Sequence, residues 1–245
     1  TASHLPYERN GFKFFTAEGG TDKEDIAEIL RLASRYNFIG GVYEEMKTNV
    51  RMMYAAYLRQ MIAAGLKDVP GYLKGMHIVV DAGNGAAGFF AKEVLERMGA
   101  DVSGSLYLEP DGTFPNHPAN PENAEAMAAI CKAVRDNNAD LGIIFDTDGD
   151  RSAAVAPGGV PISRNEIVAL AAALAAEDYP GGTVVTDSVT SNELHEFLEG
   201  KLGLKHLRYK RGYKNVINKA KEINAAGEQA FLAIETSGHA AYSDN

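Results

Sequence analysis

The chain has 245 residues, 45% of them hydrophobic, so it can bury the core of one large domain or of two to three small ones. Its 33 acidic and 24 basic side chains give a net charge of −9, which argues against a general surface for nucleic acid or anionic membrane. One cysteine excludes an internal disulfide framework, and no apolar run reaches the roughly 20 residues that cross a bilayer, so we expect a cytoplasmic protein without nucleic-acid or membrane partners.

The first 66 residues are predicted to form one unit with two helices. Apolar side chains recur at a helical spacing over residues 21–35, behind a threonine cap and early acidic residues, and again over 44–65. A turn-rich segment and a short buried-strand pattern follow near residue 66, so a new unit begins there.

Strand and helix patterns alternate over the rest of the chain. In the second unit, residues 67–157, we expect a strand (77–82), a glycine-rich turn, a helix (88–98), a strand (101–108), a loop with four prolines (109–122), a helix (123–137) and a strand that begins at residue 141. In the third unit, residues 158–245, we expect a helix (164–177), a strand (183–188), a helix (191–200), a strand (205–209), a helix (213–225) and a strand (229–235). This alternation predicts an α/β fold of tandem three-layer domains with parallel or mixed sheets, joined near residues 156–159.

The most specific motif is DTDGDR, residues 146–151, which follows the apolar run LGIIF. Its carboxylates belong to Asp146, Asp148 and Asp150. Carboxylates at alternate positions of a loop can converge on one hard cation, which offsets their mutual repulsion, whereas the alternative is a solvated acidic turn. An EF-hand calcium loop is excluded because it needs glycine and glutamate where this chain has Arg151 and Pro157. The position at the C-terminal end of a strand, where open α/β sheets bind ligands, favours a metal site.

The motif TASHLP, residues 1–6, places Ser3 beside His4 on a short loop. Such a serine is either a nucleophile with a nearby base or a turn hydroxyl beside a surface imidazole. It lacks the flanking glycines of the GxSxG hydrolase elbow. These residues by themselves favour the turn.

The motif DAGNGAAG, residues 81–88, contains GxGxxG between a predicted strand and a predicted helix, which is the formal fingerprint of a dinucleotide-binding turn. That fingerprint requires an acidic residue about 20 residues further on, at the end of the next strand. Here Asp101 precedes that strand and Glu109 follows it. We therefore favour a tight turn whose small residues allow close packing, and an NAD-binding oxidoreductase is the alternative.

The motif ETSGH, residues 235–239, follows the apolar run FLAI. A carboxylate, a hydroxyl and an imidazole at the end of a strand can hydrogen-bond a polyol, and Gly238 lets the backbone approach a ligand closely. Taken alone, the motif does not define a ligand.

Taken in order, these motifs, together with NGFK (residues 10–13), FPNHPANPEN (114–123) and a GYK loop (212–214), resemble the α-D-phosphohexomutase family. The resemblance implies an intramolecular phosphotransferase that interconverts hexose 1-phosphate and hexose 6-phosphate, of glucose or mannose, through a 1,6-bisphosphate intermediate. Hexose phosphates and hexose 1,6-bisphosphate are the implied partners, and Mg2+ is the implied cofactor. Because the family has four domains around one cleft, we expect a truncated, inactive chain that lacks the start of domain 1, the end of domain 3 and domain 4.

The resemblance also implies roles for individual residues. The implied metal ligands are the phosphorylated Ser3, Asp146, Asp148 and Asp150. The implied catalytic residues are Ser3, His4, Lys13, Arg151 and His239, the last as a general acid or base. The implied substrate-binding residues are Glu235, Ser237, His239 and Tyr213. Leu5, Thr236 and Tyr213 depart from the family pattern, which leaves the sugar open. The departures at Leu5 and Thr236 also keep a non-catalytic phosphosugar-binding relative as an alternative.

Overall fold

A computed structural model describes residues 8–9, 11–12, 14–17, 19–36, 49–66 and 71–243. Within these residues the helices and strands are, in chain order, β1 (Phe15–Thr16), β2 (Gly19–Gly20), α1 (Lys23–Ala33), α2 (Val50–Gly65), β3 (Ile78–Asp81), α3 (Ala124–Asp136), β4 (Leu141–Phe145), β5 (Ser152–Ala156), β6 (Val160–Pro161), α4 (Arg164–Ala175), β7 (Thr183–Asp187), α5 (Asn192–Glu196), β8 (Lys205–Tyr209), α6 (Tyr213–Ala225), β9 (Ala230–Ile234) and β10 (Ala240–Tyr242). An irregular helical segment runs through a 3-10 turn (Ala86–Gly88), a π-helix (Phe90–Leu95) and a second 3-10 turn (Glu96–Met98), and a π-helical segment (Phe197–Lys201) continues α5. No helix in this described part of the chain is long and apolar enough to span a membrane.

The first sheet has the strand order β3-β4-β5-β6. β3 is parallel to β4, and the hairpin of β5 and β6 adds two antiparallel strands. On one face, Val79 and Ile144 share a buried cluster with Ile130 of α3. On the other face, Val80 packs with α2 and with the irregular helical segment of residues 86–98. Helices therefore cover both faces of this sheet, as a three-layer domain requires.

The second sheet has the strand order β10-β9-β7-β8. β7 is parallel to both β8 and β9, whereas β10 is antiparallel to β9. On one face, Phe231 packs with Val168 of α4 and with Leu198. On the other face, Val185 packs with Val216 of α6. The predicted α/β fold with mixed sheets is thus confirmed.

The first predicted helix is observed as α1, but its N-cap differs from the prediction. The cap is Asp22, whose carboxylate accepts a hydrogen bond from Asp25 N, and the Asp25 carboxylate accepts one from Asp22 N in return. The predicted cap, Thr21, instead donates its hydroxyl to the Phe14 carbonyl oxygen at 3.2 Å. The reciprocal bonds satisfy two backbone donors at once, which a single threonine does not do.

The second predicted helix, over residues 44–65, is observed from Val50 onward as α2. Asn49 is its N-cap and accepts a hydrogen bond from Met52 N at 3.2 Å. Residues 44–48 lie outside the described residues.

The strand predicted over residues 101–108 is not formed. Within it, two residues make only isolated bridges, to His77 and Asp81. Gly104 and Tyr107 have positive φ values of 78° and 51°, so the backbone turns where a strand would continue. The segment lies beside β3 as an irregular edge.

The sequence does not predict the hairpin of β5 and β6. Its turn lies at the join expected near residues 156–159, and the first sheet continues to Pro161. Gly159 has a φ of 73°, and a Cβ atom there would lie 2.4 Å from the carbonyl oxygen of Cys131 in α3. This turn therefore needs glycine both for its conformation and for its packing on α3.

We predict that Gly88→Ala lowers the free energy of unfolding by about 1–3 kcal/mol, the usual cost of overpacking. A Cβ atom at Gly88 would lie 1.7 Å from the carbonyl oxygen of Leu108, so the backbone has to move. The matched control is Gly200→Ala, where no atom outside the local helical backbone lies within 4 Å of the added Cβ. Urea denaturation of both variants tests this, and equal midpoints would contradict the packing role of Gly88.

Candidate active site

The DTDGDR loop connects β4 to β5. A hydrogen bond from Asp146 N to the Arg151 carbonyl oxygen, 3.1 Å long, joins its two ends. Gly149 adopts a φ of 77°, a conformation that glycine takes without strain. One carboxylate oxygen from each of Asp146, Asp148 and Asp150 lies within 4.8 Å of the others. The structure thus brings together the three carboxylates that the sequence predicts as metal ligands.

Asp146 is the buried anchor of this loop. Its Oδ1 accepts hydrogen bonds from Gly149 N at 3.1 Å and from Arg151 N at 3.0 Å. Its Oδ2 accepts one from Arg151 Nε at 2.9 Å, although the Asp146 side chain is fully shielded from solvent. Three donors directed at one carboxylate satisfy its oxygens without bulk water.

Asp150 shows the electrostatic cost of the arrangement. Burial, followed by the nearby carboxylates of Asp146 and Asp148, raises the pKa of the Asp150 carboxyl above its ordinary value. A cation would remove this penalty, since it stabilises all three groups in their charged forms. Oxygen-only donors that converge from one tight loop fit a hard divalent cation.

The glycine-rich turn of residues 81–88 packs directly on the metal loop. Ala86 N donates to the Thr147 carbonyl oxygen at 2.9 Å. A Cβ atom at Gly85 would lie 2.7 Å from that same oxygen. The preferred interpretation of the glycines, a tight turn with close packing, is confirmed. Gly83, Gly85 and Gly88 each lie so close to other protein atoms that a side chain there would clash, which explains their spacing.

The ETSGH loop follows β9 in the second sheet. Glu235 is buried, its Oε1 accepts a hydrogen bond from Gly212 N at 2.6 Å, and its Oε2 accepts one from the Ser237 hydroxyl at 3.1 Å. The Ser237 hydroxyl also lies 3.0 Å from His239 Nδ1, and the Tyr213 ring stacks on the His239 ring at 5.2 Å. The four predicted substrate-binding residues are therefore close together, with Glu235 as the buried anchor.

The two loops border one cleft of about 340 Å³. Its lining includes Arg151 from the metal loop together with Glu235 and Ser237 from the ETSGH loop. A Cβ atom placed on Gly238 would lie 3.9 Å from the Ser152 carbonyl oxygen, so the loops are neighbours in space. The electrostatic effect of His239 lowers the pKa of the Asp150 carboxyl and so acts against burial and the neighbouring carboxylates, which means that the two side chains are close. A ligand in this cleft can touch Arg151 and the ETSGH loop at once, whereas Asp148 and Asp150 line a neighbouring pocket beside Ala86.

The remaining predicted catalytic residues are Ser3, His4 and Lys13, and all three lie outside the described residues. The same holds for Leu5, one of the departures from the family pattern. Their placement relative to the metal loop stays a prediction.

A buried carboxylate that sequence reasoning missed supports the ETSGH loop. Asp187, the last residue of β7, is 1% exposed, and its Oδ2 accepts a hydrogen bond from the Thr236 hydroxyl at 2.8 Å. Thr236 is itself buried, so its hydroxyl ties the ETSGH loop to the end of β7 inside the protein. An acidic residue at the end of the apolar run TVVTD was the available signal for such a role.

We predict that Thr236→Val lowers the free energy of unfolding by about 1–3 kcal/mol, because it leaves the buried Asp187 carboxylate without this donor. The control is Thr236→Ser, which keeps the hydroxyl and should cost less than about 1 kcal/mol. Urea or thermal denaturation distinguishes the two variants. A loss in Thr236→Ser as large as that in Thr236→Val would show that the hydrogen bond contributes no more than the packing of the methyl group, which would contradict the prediction.

Comparisons with known proteins agree with the motif order. Residues 54–159 match the family model for phosphoglucomutase/phosphomannomutase, alpha/beta/alpha domain II, and residues 163–245 match domain III of the same family. The phosphomannomutase/phosphoglucomutase of Pseudomonas aeruginosa is 32% identical over 239 residues, which are 98% of this chain and 48% of that protein. The chain thus spans about half the length of the curated relatives it matches.

Solved structures share the fold. A phosphoglucomutase/phosphomannomutase family protein from Burkholderia thailandensis aligns with a TM-score of 0.69 at 23% identity, over 95% of this chain and 54% of that one. The N-acetylphosphoglucosamine mutase of Aspergillus fumigatus, in complex with GlcNAc-6P and magnesium, aligns with a TM-score of 0.52 at 19% identity, over 77% of this chain and 40% of that one. At these identities the likeness concerns the fold alone.

Proposed function

This chain belongs to the phosphoglucomutase/phosphomannomutase family, and from that we propose that the protein which carries it interconverts hexose 1-phosphates and hexose 6-phosphates of glucose or mannose. One observation carries the proposal: Arg151 of the metal loop lines the same cleft as the polyol-type ETSGH loop, and the carboxylate of Asp150 is close enough to His239 to interact with it electrostatically. A sugar phosphate presents an anionic end and a hydroxyl-rich ring, so it needs a cation and hydrogen-bonding side chains next to each other.

Asp146, Asp148 and Asp150 would hold Mg2+, together with an oxygen of phosphorylated Ser3. The oxygen-only ligands and their tight loop support this choice, as does the magnesium in the Aspergillus fumigatus relative. Bound there, Mg2+ supplies positive charge that offsets the charge on the phosphoryl oxygens.

The chain's own residues carry the transfer. Phosphorylated Ser3 gives its phosphoryl group to a free hydroxyl of the hexose monophosphate, so the bond from phosphorus to the Ser3 oxygen breaks and a bond to the sugar oxygen forms. His239 takes the proton of that hydroxyl, and its ring is oriented by Ser237 and by the stacked Tyr213. The resulting hexose 1,6-bisphosphate reorients in the cleft and returns its other phosphoryl group to Ser3. The bond from phosphorus to that sugar oxygen breaks, a bond to the Ser3 oxygen forms, and His239 gives its proton to the released sugar oxygen.

Cationic side chains and the sugar contacts complete the assignment. Arg151 is held at the edge of the cleft because its Nε donates to Asp146, and with His4 and Lys13 it stabilises the transferring group. Ser237 and Glu235 bind sugar hydroxyls, for which Glu235 exchanges one of its two loop hydrogen bonds.

We predict that Asp148→Asn reduces turnover at least about 100-fold, the scale seen when a preorganised electrostatic group is removed. The assay uses glucose 1-phosphate, a trace of glucose 1,6-bisphosphate and saturating Mg2+, with the full-length protein that carries this chain. Asp178→Asn, which changes an exposed carboxylate of the third unit, controls for the change of charge. Near-normal turnover of Asp148→Asn would contradict the metal assignment.

We also predict that the full-length protein gains one phosphoryl group on Ser3 when it is incubated with glucose 1,6-bisphosphate and Mg2+. Intact-mass measurement and peptide mapping test this, with Ser3→Ala as the variant that takes no phosphate but still binds hexose phosphate. Ser34→Ala, an exposed serine on α1's C-cap, is the control and should be phosphorylated normally. No modification with either glucose or mannose bisphosphate would favour the second candidate, a non-catalytic phosphosugar-binding protein.

A further inference from the structure

We propose that Asp81 and His117 are a buried positioning pair that sets the geometry of the metal loop, although neither residue belongs to that loop. The inference rests on the proposed metal site. Asp81 ends β3, and His117 lies in the proline-rich loop that leads to α3. The pair thus joins two segments that are 36 residues apart in sequence.

The pair is closed and fully shielded. His117 Nε2 lies 3.0 Å from Asp81 Oδ2, and the two side chains are 1% and 0% exposed. His117 Nδ1 lies 3.0 Å from the Pro118 carbonyl oxygen, so each ring nitrogen faces an oxygen atom of the protein. Asp81 Oδ1 accepts a hydrogen bond from Gly83 N at 2.8 Å. The Tyr107 ring packs edge-on against the imidazole at 5.2 Å, which restricts its rotation.

The two segments that the pair joins hold Thr147 from both sides. On one side, Ala86 N of the glycine-rich turn donates to the Thr147 carbonyl oxygen at 2.9 Å. On the other, the Thr147 hydroxyl donates to the carbonyl oxygen of Ala119 at 3.3 Å. The two sides also touch each other, since a Cβ atom at Gly83 would lie 3.0 Å from the Ala119 Cβ. Because Thr147 stands between Asp146 and Asp148, this grip sets the spacing of the metal carboxylates.

The chemistry of the pair suits positioning better than stability. A buried polar pair pays a desolvation cost that apolar side chains of the same size do not pay, so its net contribution to stability is small. Its main effect is to fix the relative position of the two segments, because an imidazole whose two nitrogens are both hydrogen-bonded is held in one orientation. Supporting groups of this kind change metal affinity about 10–100-fold when they are removed.

The test measures Mn2+ binding to the full-length protein, by electron paramagnetic resonance of free Mn2+ or by calorimetry. We expect His117→Leu, which lacks both nitrogens, to raise the Kd for Mn2+ about 10-fold. His117→Gln presents an amide near the position of Nε2 and should restore binding to within about 3-fold of the unmodified protein. If His117→Leu weakens Mn2+ binding and His117→Gln does not, the effect is due to the hydrogen bond between residue 117 and Asp81.

His206→Leu is the matched control. His206 is a partly buried histidine of the second sheet, and its Nε2 lies 2.8 Å from the Thr186 hydroxyl. Its loss removes a side-chain hydrogen bond in the second sheet, whereas the metal loop belongs to the first sheet, so the Kd for Mn2+ should not change. A weakening equal to that of His117→Leu would show that general destabilisation is responsible and would overturn the proposal.

A second variant covers the case in which His117→Leu fails to fold. Thr147→Val removes only the hydroxyl that reaches Ala119 and leaves no buried charge behind, and we expect it to weaken Mn2+ binding about 3-fold or more. Unchanged affinity in a folded His117→Leu or in Thr147→Val would overturn the inference while the metal site stands. Failure of the unmodified protein to bind Mn2+ would instead overturn the proposed metal site, and this inference with it.

Discussion

The structure is organised around the repulsion among three carboxylates on one short loop. Burial, together with the nearby carboxylates of Asp146 and Asp148, raises the pKa of the Asp150 carboxyl, so the loop is stable only where other groups offset this charge. Backbone N–H groups and Arg151 do so for Asp146. The glycines of the 81–88 turn then let the surrounding backbone come close enough to fix the loop.

Each of the two sheets has a buried carboxylate at the end of a parallel strand that binds a side chain of a neighbouring loop. Asp81 ends β3 and binds His117 of the proline-rich loop, and Asp187 ends β7 and binds Thr236 of the ETSGH loop. In each unit the buried acid faces the protein, while the groups that would meet a ligand stand in the adjoining loop. The buried hydrogen bonds keep the loop backbone in place, so the side chains that face the cleft are held in position before a ligand binds.

The elements that the sequence predicts well are those with a strong local signal. Helices α3 and α6 and the buried strands β7 and β9 follow from periodicity, caps and apolar runs. The failures have local causes as well. The strand expected over 101–108 is interrupted by left-handed residues, among them Tyr107, which propensity does not forecast. The β5–β6 hairpin has a short, alanine-rich first strand, so pairing with β4 decides its conformation.

The amino-acid sequence by itself determined the α/β architecture, the family resemblance, the carboxylates of the DTDGDR loop and the ETSGH side chains, since each is written in contiguous residues. Only the tertiary structure decided that Glu235 anchors its loop through Gly212, that Thr236 binds Asp187, and that the two loops border one cleft. The physical reason is that a buried polar group must find its partner wherever the packed sheets bring one within hydrogen-bonding distance. Here those partners lie 23 and 49 residues away along the chain, a distance at which no local pattern specifies contact.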